Sequence, residues 1–525
     1  MIENVGALAR ENRDAELVLA FVSPLGTPLD GVQKALSDGL REHGYGLEVL
    51  VRISEHLDEM RQAPQDERPA ARQERLMEAG THLRREHGGD YLALMAIAHI
   101  NATREIDEHD EVLPHQCRGH LIRSLKHPDE VTRLRHVYGK GFFLLGVSAP
   151  RSLRCETLIK RNFPLDEANR LLDKDAAEDE KIGQQTRETF QLADAYLWVD
   201  GDDGQRIGHQ VRRILDLLFS CPFHPPTPEE HAMFMAYAAA LRSSDLSRQV
   251  GAVVANRLGD VVASGANEAP APNGGTYWPS RVEFDGSTDE LAGPDYLRGY
   301  DSNERERNRI LARVITKLVP EEARDEASGD GIDDLSPGAR SALIAKYKDR
   351  LEGTGILDLT EFGRAVHAEM AALMSCARSG VTPVGGTLYC TTFPCHNCAK
   401  HIIASGITRV VYVEPYAKSK AKDLHTDAIV LPLEDERRWE SQERRVEFRA
   451  FEGIGPRRFV DLFSLTLGSG RPVRRKKKGA DGAREGWERG EGSLPRLPLD
   501  SRSYLEREDA CAKYYRRQQP GDGKL

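Results

Sequence analysis

The sequence predicts an α/β protein in two parts, a parallel-sheet domain at the front and a second sheet-and-helix domain behind it. Three observations carry this. Over the first 220 residues, short apolar runs of strand length alternate with amphipathic helical runs. The stretch 221–228 (CPFHPPTP) holds four prolines and cannot continue a helix. Beyond it, helix and strand patterns resume in a different order. A chain of 525 residues has room for about three structural units at roughly 150 residues each.

The elements follow in order. Residues 16–22 (ELVLAFV) read as a short buried strand, 23–28 (SPLGTP) as a turn, and the spacing of Val32, Leu36 and Leu40 as one face of a helix. Residues 46–53 are a second strand, 91–100 an apolar helix, 141–147 (GFFLLGV) and 195–199 further strands, and 207–218 a helix. After the proline-rich linker the pattern is helix 229–242, strands 249–255 and 261–266, a polar insertion over about 270–363 with a charged helix at 304–318, helix 366–377, strand 387–391, helix 395–404 and strand 409–413. An insertion of that size is usually functional or partly disordered. Past Gly468 the composition changes: 471–478 (RPVRRKKK) leads into Gly-, Arg- and Glu-rich sequence, so 469–525 is expected to be a flexible, charged segment. No internal repeat is found.

Composition excludes several classes. Apolar residues make up 39% and there are 46 glycines, which places the chain at the low end of ordinary globular usage and excludes global disorder. With 73 Lys and Arg against 83 Asp and Glu, the net charge is -10, which argues against a general polyanion-coating surface but leaves local basic patches open. Residues 1–14 lack a basic region followed by an apolar one, and the apolar stretches 91–100 and 234–241 are far too short to span a bilayer. The expectation is a cytoplasmic chain with no signal peptide and no membrane contact. Three of the eight cysteines, Cys390, Cys395 and Cys398, lie within nine residues, which suits a metal in a reducing compartment better than a disulfide framework.

The chemistry concentrates in two short motifs. His367-Ala368-Glu369 and, further on, Pro394-Cys395-His396-Asn397-Cys398 form the pattern H-x-E…P-C-x-x-C of zinc-dependent nucleobase deaminases. Each half alone is weak: His109-Asp110-Glu111 repeats H-x-E with no P-C-x-x-C close behind it. Together they supply what zinc needs in a hydrolytic site, namely three protein ligands and one open position for water. His367 offers a nitrogen; Cys395 and Cys398, at i and i+3, offer two sulfurs on one helical face. Pro394 suits a helix start, whose partial positive charge favours thiolates. His367 and Glu369 converge only if they wrap the open first turn of a helix, and Glu369 is then placed as the acid-base group. Cys390, alternating with Leu388, and Cys376 read as packing residues.

Residues 230–430 resemble the deoxycytidylate deaminase family, through 242–252 (RSSDLSRQVGA), 265–267 (GAN), 274–278 (GGTYW), His367-Ala368-Glu369 and 388–398 (LYCTTFPCHNC). With the domain in front, and with 412–420 (YVEPYAKSK), the chain is similar to the two-domain bacterial antiviral dCTP/dCMP deaminases. That resemblance implies a cytidine-deaminase-like α/β/α domain over 229–468, a Zn2+ cofactor, free deoxycytidine nucleotides as substrate and a homo-oligomer. It also implies that Asn267 holds the sugar and phosphate end of the substrate. Arg242 and Arg248 are candidates for phosphate, since a guanidinium fork matches its oxygens, with surface ion pairing as the alternative; Tyr412 either borders the base or packs in the core. For residues 1–220 the resemblance is to P-loop nucleotide-kinase-like domains. The matching segment is 21–30 (FVSPLGTPLD), with Ser23, Gly26 and Thr27 as candidate nucleotide-binding residues, but it lacks the Lys, the following Ser/Thr and one Gly of a P-loop. A regulatory domain is expected, responding to a nucleotide, an inhibitory RNA or a phage product. The basic cluster Arg123, Lys126, Arg133 and Arg135 either faces such a ligand or forms a solvated helix face.

Overall fold

The computed structural model describes residues 15–61, 67–108, 112–177, 184–201, 204–278, 293–318, 336–351, 354–358, 361–416, 419–431, 445–478, 481–490, 493–497 and 503–519. The second H-x-E, at 109–111, lies outside them. The strands are β1 (Leu17–Val22), β2 (Gly46–Arg52), β3 (Arg118–Leu125), β4 (Phe142–Ser148), β5 (Ala195–Trp198), β6 (Gly251–Ala255), β7 (Val261–Ala266), β8 (Thr387–Cys390), β9 (Arg409–Tyr412), β10 (Ile429–Val430), β11 (Val446–Ala450) and β12 (Gly453–Ile454). They form two six-stranded sheets, ordered β12-β5-β4-β1-β3-β2 and β10-β11-β9-β8-β6-β7.

The first sheet is parallel except at its edge, where β12 runs antiparallel to β5. Strands β1 and β4 are buried along their whole length, as expected where helices cover both faces of a parallel sheet. Leu19, Phe21, Phe143, Leu145 and Leu197 pack there against Leu36 and Leu215 from the helices Leu29–Glu42 and Gly204–Leu218. The sequence did not announce β3. Its residues, RGHLIRSL, mix charge with apolar groups, and only pairing with β1 and β2 on either side makes them a strand. No helix among the described residues is long and apolar enough to cross a membrane.

The second sheet is mixed: β6 runs antiparallel to β7 and β8, while β10, β11 and β9 are mutually parallel. Two glycines set how closely helices cover it. A Cβ on Gly251 would lie 1.9 Å from the Ala236 carbonyl oxygen, and one on Gly265 would lie 2.3 Å from that of Ala368. The helices Pro228–Ala240 and Ala368–Ser379 therefore sit directly on the strands, on opposite faces.

Compact packing divides the described residues into one unit within Met1–Phe234, Thr392–His396 and Thr408–Leu525 and another within Met235–Thr391 and Asn397–Ile407. This division does not follow the expected limits of 1–220, 229–468 and 469–525. The end of the chain also differs from the flexible segment that its composition predicts. Ser503–Gln518 is a helix, and Leu497 belongs to the core under the first sheet. The physical reason lies in the helix Tyr91–Ala102, where ten of twelve residues are buried all round, so it needs cover on every side. The C-terminal helix supplies one side: Tyr515 packs against Tyr91 with ring centroids 5.3 Å apart, and Glu508, fully buried, accepts from Arg104 Nη2 at 2.8 Å.

Candidate metal centre and active site

His367 is the N-cap of the helix Ala368–Ser379, with extended backbone (φ -61°, ψ 150°), and Glu369 is the second helical residue. The motif thus wraps the open first turn, as its spacing requires. Glu369 is only 3% exposed, and the helix N-terminus favours a carboxylate there. After β8 the chain turns through 391–395 into the helix His396–Ala404, so Cys395 precedes its first residue and Cys398 is its third. The sequence expectation of a helix beginning at Cys395 is met to within one residue.

These short elements bring His367, Cys395 and Cys398 together: one ligand atom from each lies within 4.8 Å of the others. His367 Nδ1 and Cys398 Sγ are 3.3 Å apart. Around a tetrahedral zinc with Zn–N and Zn–S distances of about 2.0 and 2.3 Å, donor atoms are about 3.5 to 3.8 Å apart, so the cluster needs only small side-chain adjustments to close on a metal. One imidazole and two sulfurs form a borderline-soft donor set that suits zinc and leaves a fourth position open.

The other expected site residues are placed as follows. Asn267, 8% exposed, uses its side-chain amide on backbone: Oδ1 accepts from the Val250 amide at 2.7 Å and Nδ2 donates to the Arg248 carbonyl at 2.8 Å. It therefore pins the loop entering β6 to the end of β7, and its remaining N–H is what it can offer a ligand. Arg248 is exposed. Arg242 lies over the Trp278 ring, 3.8 Å from its centroid, and donates to the Tyr277 carbonyl at 3.2 Å and to the Thr276 hydroxyl. Burial lowers its pKa, against the raising charge of Glu268. Tyr412, 1% exposed, packs edge-on against Phe393 with centroids 4.7 Å apart. Cys390 and Cys376 are buried, and burial pushes the Cys376 thiol up.

Sequence reasoning missed Glu268, for which no motif gave a signal. Its carboxylate, 4% exposed, holds the Ser244 amide and hydroxyl and thereby ties the segment after Arg242 to the end of β7. A second group of metal-type donors, Glu16, His115 and His120, lies in the N-terminal part. There Arg104 Nη1 is 2.9 Å from Glu16 Oε1, so a cation already serves that carboxylate.

In the turn after β1, Gly26 has φ +79°, and a Cβ there would be 2.6 Å from the Arg154 carbonyl oxygen. Thr27 closes the turn on the Pro24 carbonyl, with Oγ1 at 2.8 Å. The Ser23 carbonyl accepts from Lys126 Nζ at 2.8 Å, and the Leu25 amide donates to Asp175 Oδ2 at 2.7 Å. A buried carboxylate of the chain itself therefore takes the amide that a P-loop would offer to phosphate. The basic cluster divides: Arg133 pairs with Asp90 and Arg135 with Asp194, whereas Arg123 and Lys126 line a cavity beside the turn.

With this geometry in place, comparison with known proteins is specific for one region. Residues 226–414 match the cytidine and deoxycytidylate deaminase zinc-binding region. The C-terminal part of the chain carries a dCMP/cytidine deaminase family domain. Zinc is the metal of that region, in agreement with the donor set. Deoxycytidylate deaminase of Enterobacteria phage T4 is 47% identical over 55 residues, 10% of this chain and 28% of that protein. ComE operon protein 2 of Bacillus subtilis is 45% identical over 53 residues, 10% of this chain and 28% of that protein. The match to these curated relatives thus spans under a third of their length. Among solved structures, the dCMP deaminase of cyanophage S-TIM5 in its apo form aligns over 43% of this chain and all of its own, at 16% identity and a TM-score of 0.21, a likeness that carries no argument.

Proposed function

We propose that the chain hydrolytically deaminates free deoxycytidine nucleotides, dCMP, dCTP or both, to the uracil nucleotides. The observation that carries this reading is the convergence of His367, Cys395 and Cys398 beside a buried Glu369 within the deaminase-matching region. In this reading His367, Cys395 and Cys398 hold the zinc, which when bound supplies a water of lowered pKa. Glu369 takes a proton from the attacking water and passes it to N3 of the cytosine as C4 is attacked. It then takes the proton of the new C4 hydroxyl and delivers it to the amino group, so that C4 becomes a carbonyl as the C4–N bond breaks and ammonia departs. Asn267 fixes the sugar and phosphate end, with Arg248 and Arg242 as the nearby cations for phosphate and Tyr412 supporting the base pocket.

The net charge of -10 and the match to the cytidine and deoxycytidylate deaminase region favour a free nucleotide over a nucleic-acid substrate. We place the protein in the cytoplasm as a homo-oligomer that depletes deoxycytidine nucleotides in antiviral defence, with its N-terminal part regulating turnover rather than transferring phosphate. The test is uracil formation from dCMP, dCTP, CMP, deoxycytidine and a cytosine-containing oligonucleotide. Comparable kcat/KM for the bare nucleoside or the oligonucleotide would overturn the substrate assignment.

A further inference from the structure

Beside the turn 23–27 lies a cavity of about 490 Å³, a size that accommodates a mononucleotide. It opens at the C-terminal ends of β1, β2 and β3, where the strand order reverses because β1 has β3 on one side and β4 on the other. Such a reversal leaves a crevice in an open α/β sheet, and ligands bind there.

The walls are of two kinds. Leu57, Leu76, Met77 and Leu92 make one side apolar. Arg52, Arg72, Arg84, Arg123, Lys126 and Arg161 also line the cavity, against the carboxylates of Asp30 and Asp175. Three of these cations lie around Asp30. Arg123 Nη1 donates to Asp30 Oδ1 at 2.6 Å, and this bond, outweighing desolvation and aided by the charges of Arg123, Arg161 and Arg52, holds the Asp30 carboxyl below its ordinary range. Asp30 is itself largely exposed and Arg52 donates to Glu55 Oε1 at 2.8 Å, so two carboxylates offset part of the charge of the three arginines.

Arg84 also lines the cavity. Its side chain is 3% exposed, and Nε and Nη2 both donate to Glu130 Oε1, at 3.0 and 2.7 Å. Nη1 is buried with no hydrogen-bond partner among the described residues. A buried guanidinium N–H left unpaired is costly. The wall is bare at this point because residue 80 is glycine: a Cβ there would come within 3.3 Å of Arg84 Nη1 and 3.8 Å of Leu92 Cδ1. The donor without a partner thus sits at the apolar wall, where the edge of a planar heterocycle would present an acceptor.

We infer that this cavity binds a nucleoside phosphate, its phosphates on Arg52, Arg123 and Arg161, its base against Leu57, Leu76 and Met77, and a base acceptor on Arg84 Nη1. The turn itself is not the phosphate seat, since Asp175 takes the Leu25 amide and Lys126 bonds both Asp175 and the Ser23 carbonyl. The ligand lies alongside the turn, so its binding does not call for a P-loop lysine in 21–30. The inference rests on the regulatory reading of the N-terminal part only for any effect on turnover.

Calorimetric titration of the full chain with ATP, GTP, AMP, adenosine and inorganic tripolyphosphate tests it, purine ligands being chosen to stay clear of the cytosine-directed site. At least one purine nucleotide should saturate one site per chain, and adenosine and tripolyphosphate should each bind at least tenfold more weakly. The double substitution Arg123→Gln, Arg161→Gln should weaken nucleotide binding at least tenfold while zinc content and melting temperature stay unchanged. Arg161→Gln alone, at an exposed position, gives the same reading at smaller amplitude if the double variant melts early. No saturable binding by any nucleotide up to about 1 mM, or equal affinity in the folded arginine variants, overturns the proposal. Equal affinity for tripolyphosphate and ATP overturns the base-binding half. Because the titration reads no turnover, failure of binding and failure of deamination are separate results.

Discussion

Glu369, His367, Cys395 and Cys398 occupy helix starts, and that placement explains why they were the most legible residues in the chain. A ligand at an N-cap and a carboxylate two positions on need only local backbone geometry to meet, so the spacing alone predicts their convergence. Zinc bound by two thiolates and an imidazole should be retained at one ion per chain through gel filtration. Replacing Cys395 and Cys398 together by serine should abolish that stoichiometry, because a hydroxyl is a far poorer zinc ligand than a thiolate; full zinc content in the folded double variant would refute the assignment. Residues that act through long-range packing were less legible. Asn267 was visible as a polar residue after a strand, but not its two backbone bonds across the β6–β7 hairpin. For Arg242 the Trp278 ring, and for Tyr412 the Phe393 ring, are partners that no spacing rule supplies.

At the scale of elements, strands with strong apolar runs such as β1 and β4 were legible. Strand β3 and the helix Ser503–Gln518 were not, since each depends on a surface presented by distant sequence. The closest approach that bears on the active site is that of Gly265 to the helix Ala368–Ser379. A methyl group at this position would lie 2.3 Å from the Ala368 carbonyl oxygen and 2.4 Å from the Ala372 amide nitrogen. Neither backbone atom can yield without moving the helix that starts at His367. Gly265→Ala should therefore cost about 1 to 3 kcal/mol of stability by overpacking and weaken zinc retention against a chelator such as EDTA, by displacing the His367 end. Wild-type stability and zinc retention in this variant would show that the helix is not positioned by that contact.

For the molecule as a whole, the N-terminal part carries a buried charge network with a definite pH signature. Burial raises the pKa of Glu16, but the hydrogen bond from His120 and the charge and hydrogen bond of Arg104 outweigh it and bring it down to about 2. A carboxylate whose folded pKa lies below its unfolded value of about 4.3 stabilises the fold above that value, and the contribution disappears as pH falls through the folded pKa. A shift of that size corresponds to about 3 kcal/mol. The gap in melting temperature between wild type and Glu16→Gln should be largest above about pH 5 and should close toward about pH 2; a gap independent of pH would contradict the network. At the same scale, segments far apart in sequence complete the first sheet and its cover. Strand β12 follows β11 of the second sheet in sequence yet pairs with β5 in the first sheet, and Ser503–Gln518 within the charged tail is a packed helix.

The central claim, that Glu369 performs acid-base chemistry on a cytosine nucleotide beside a zinc held by His367, Cys395 and Cys398, is tested most directly by one comparison. Uracil nucleotide formation from dCMP and dCTP is measured for wild type and Glu369→Gln at equal zinc content. The wild type should turn over at least one of the two, and the variant should be slower by roughly 10² to 10⁴-fold or more, the range for loss of one acid-base group. A zinc-loaded wild type that forms no uracil product from either nucleotide, or a variant that keeps more than about a tenth of wild-type turnover, would contradict it.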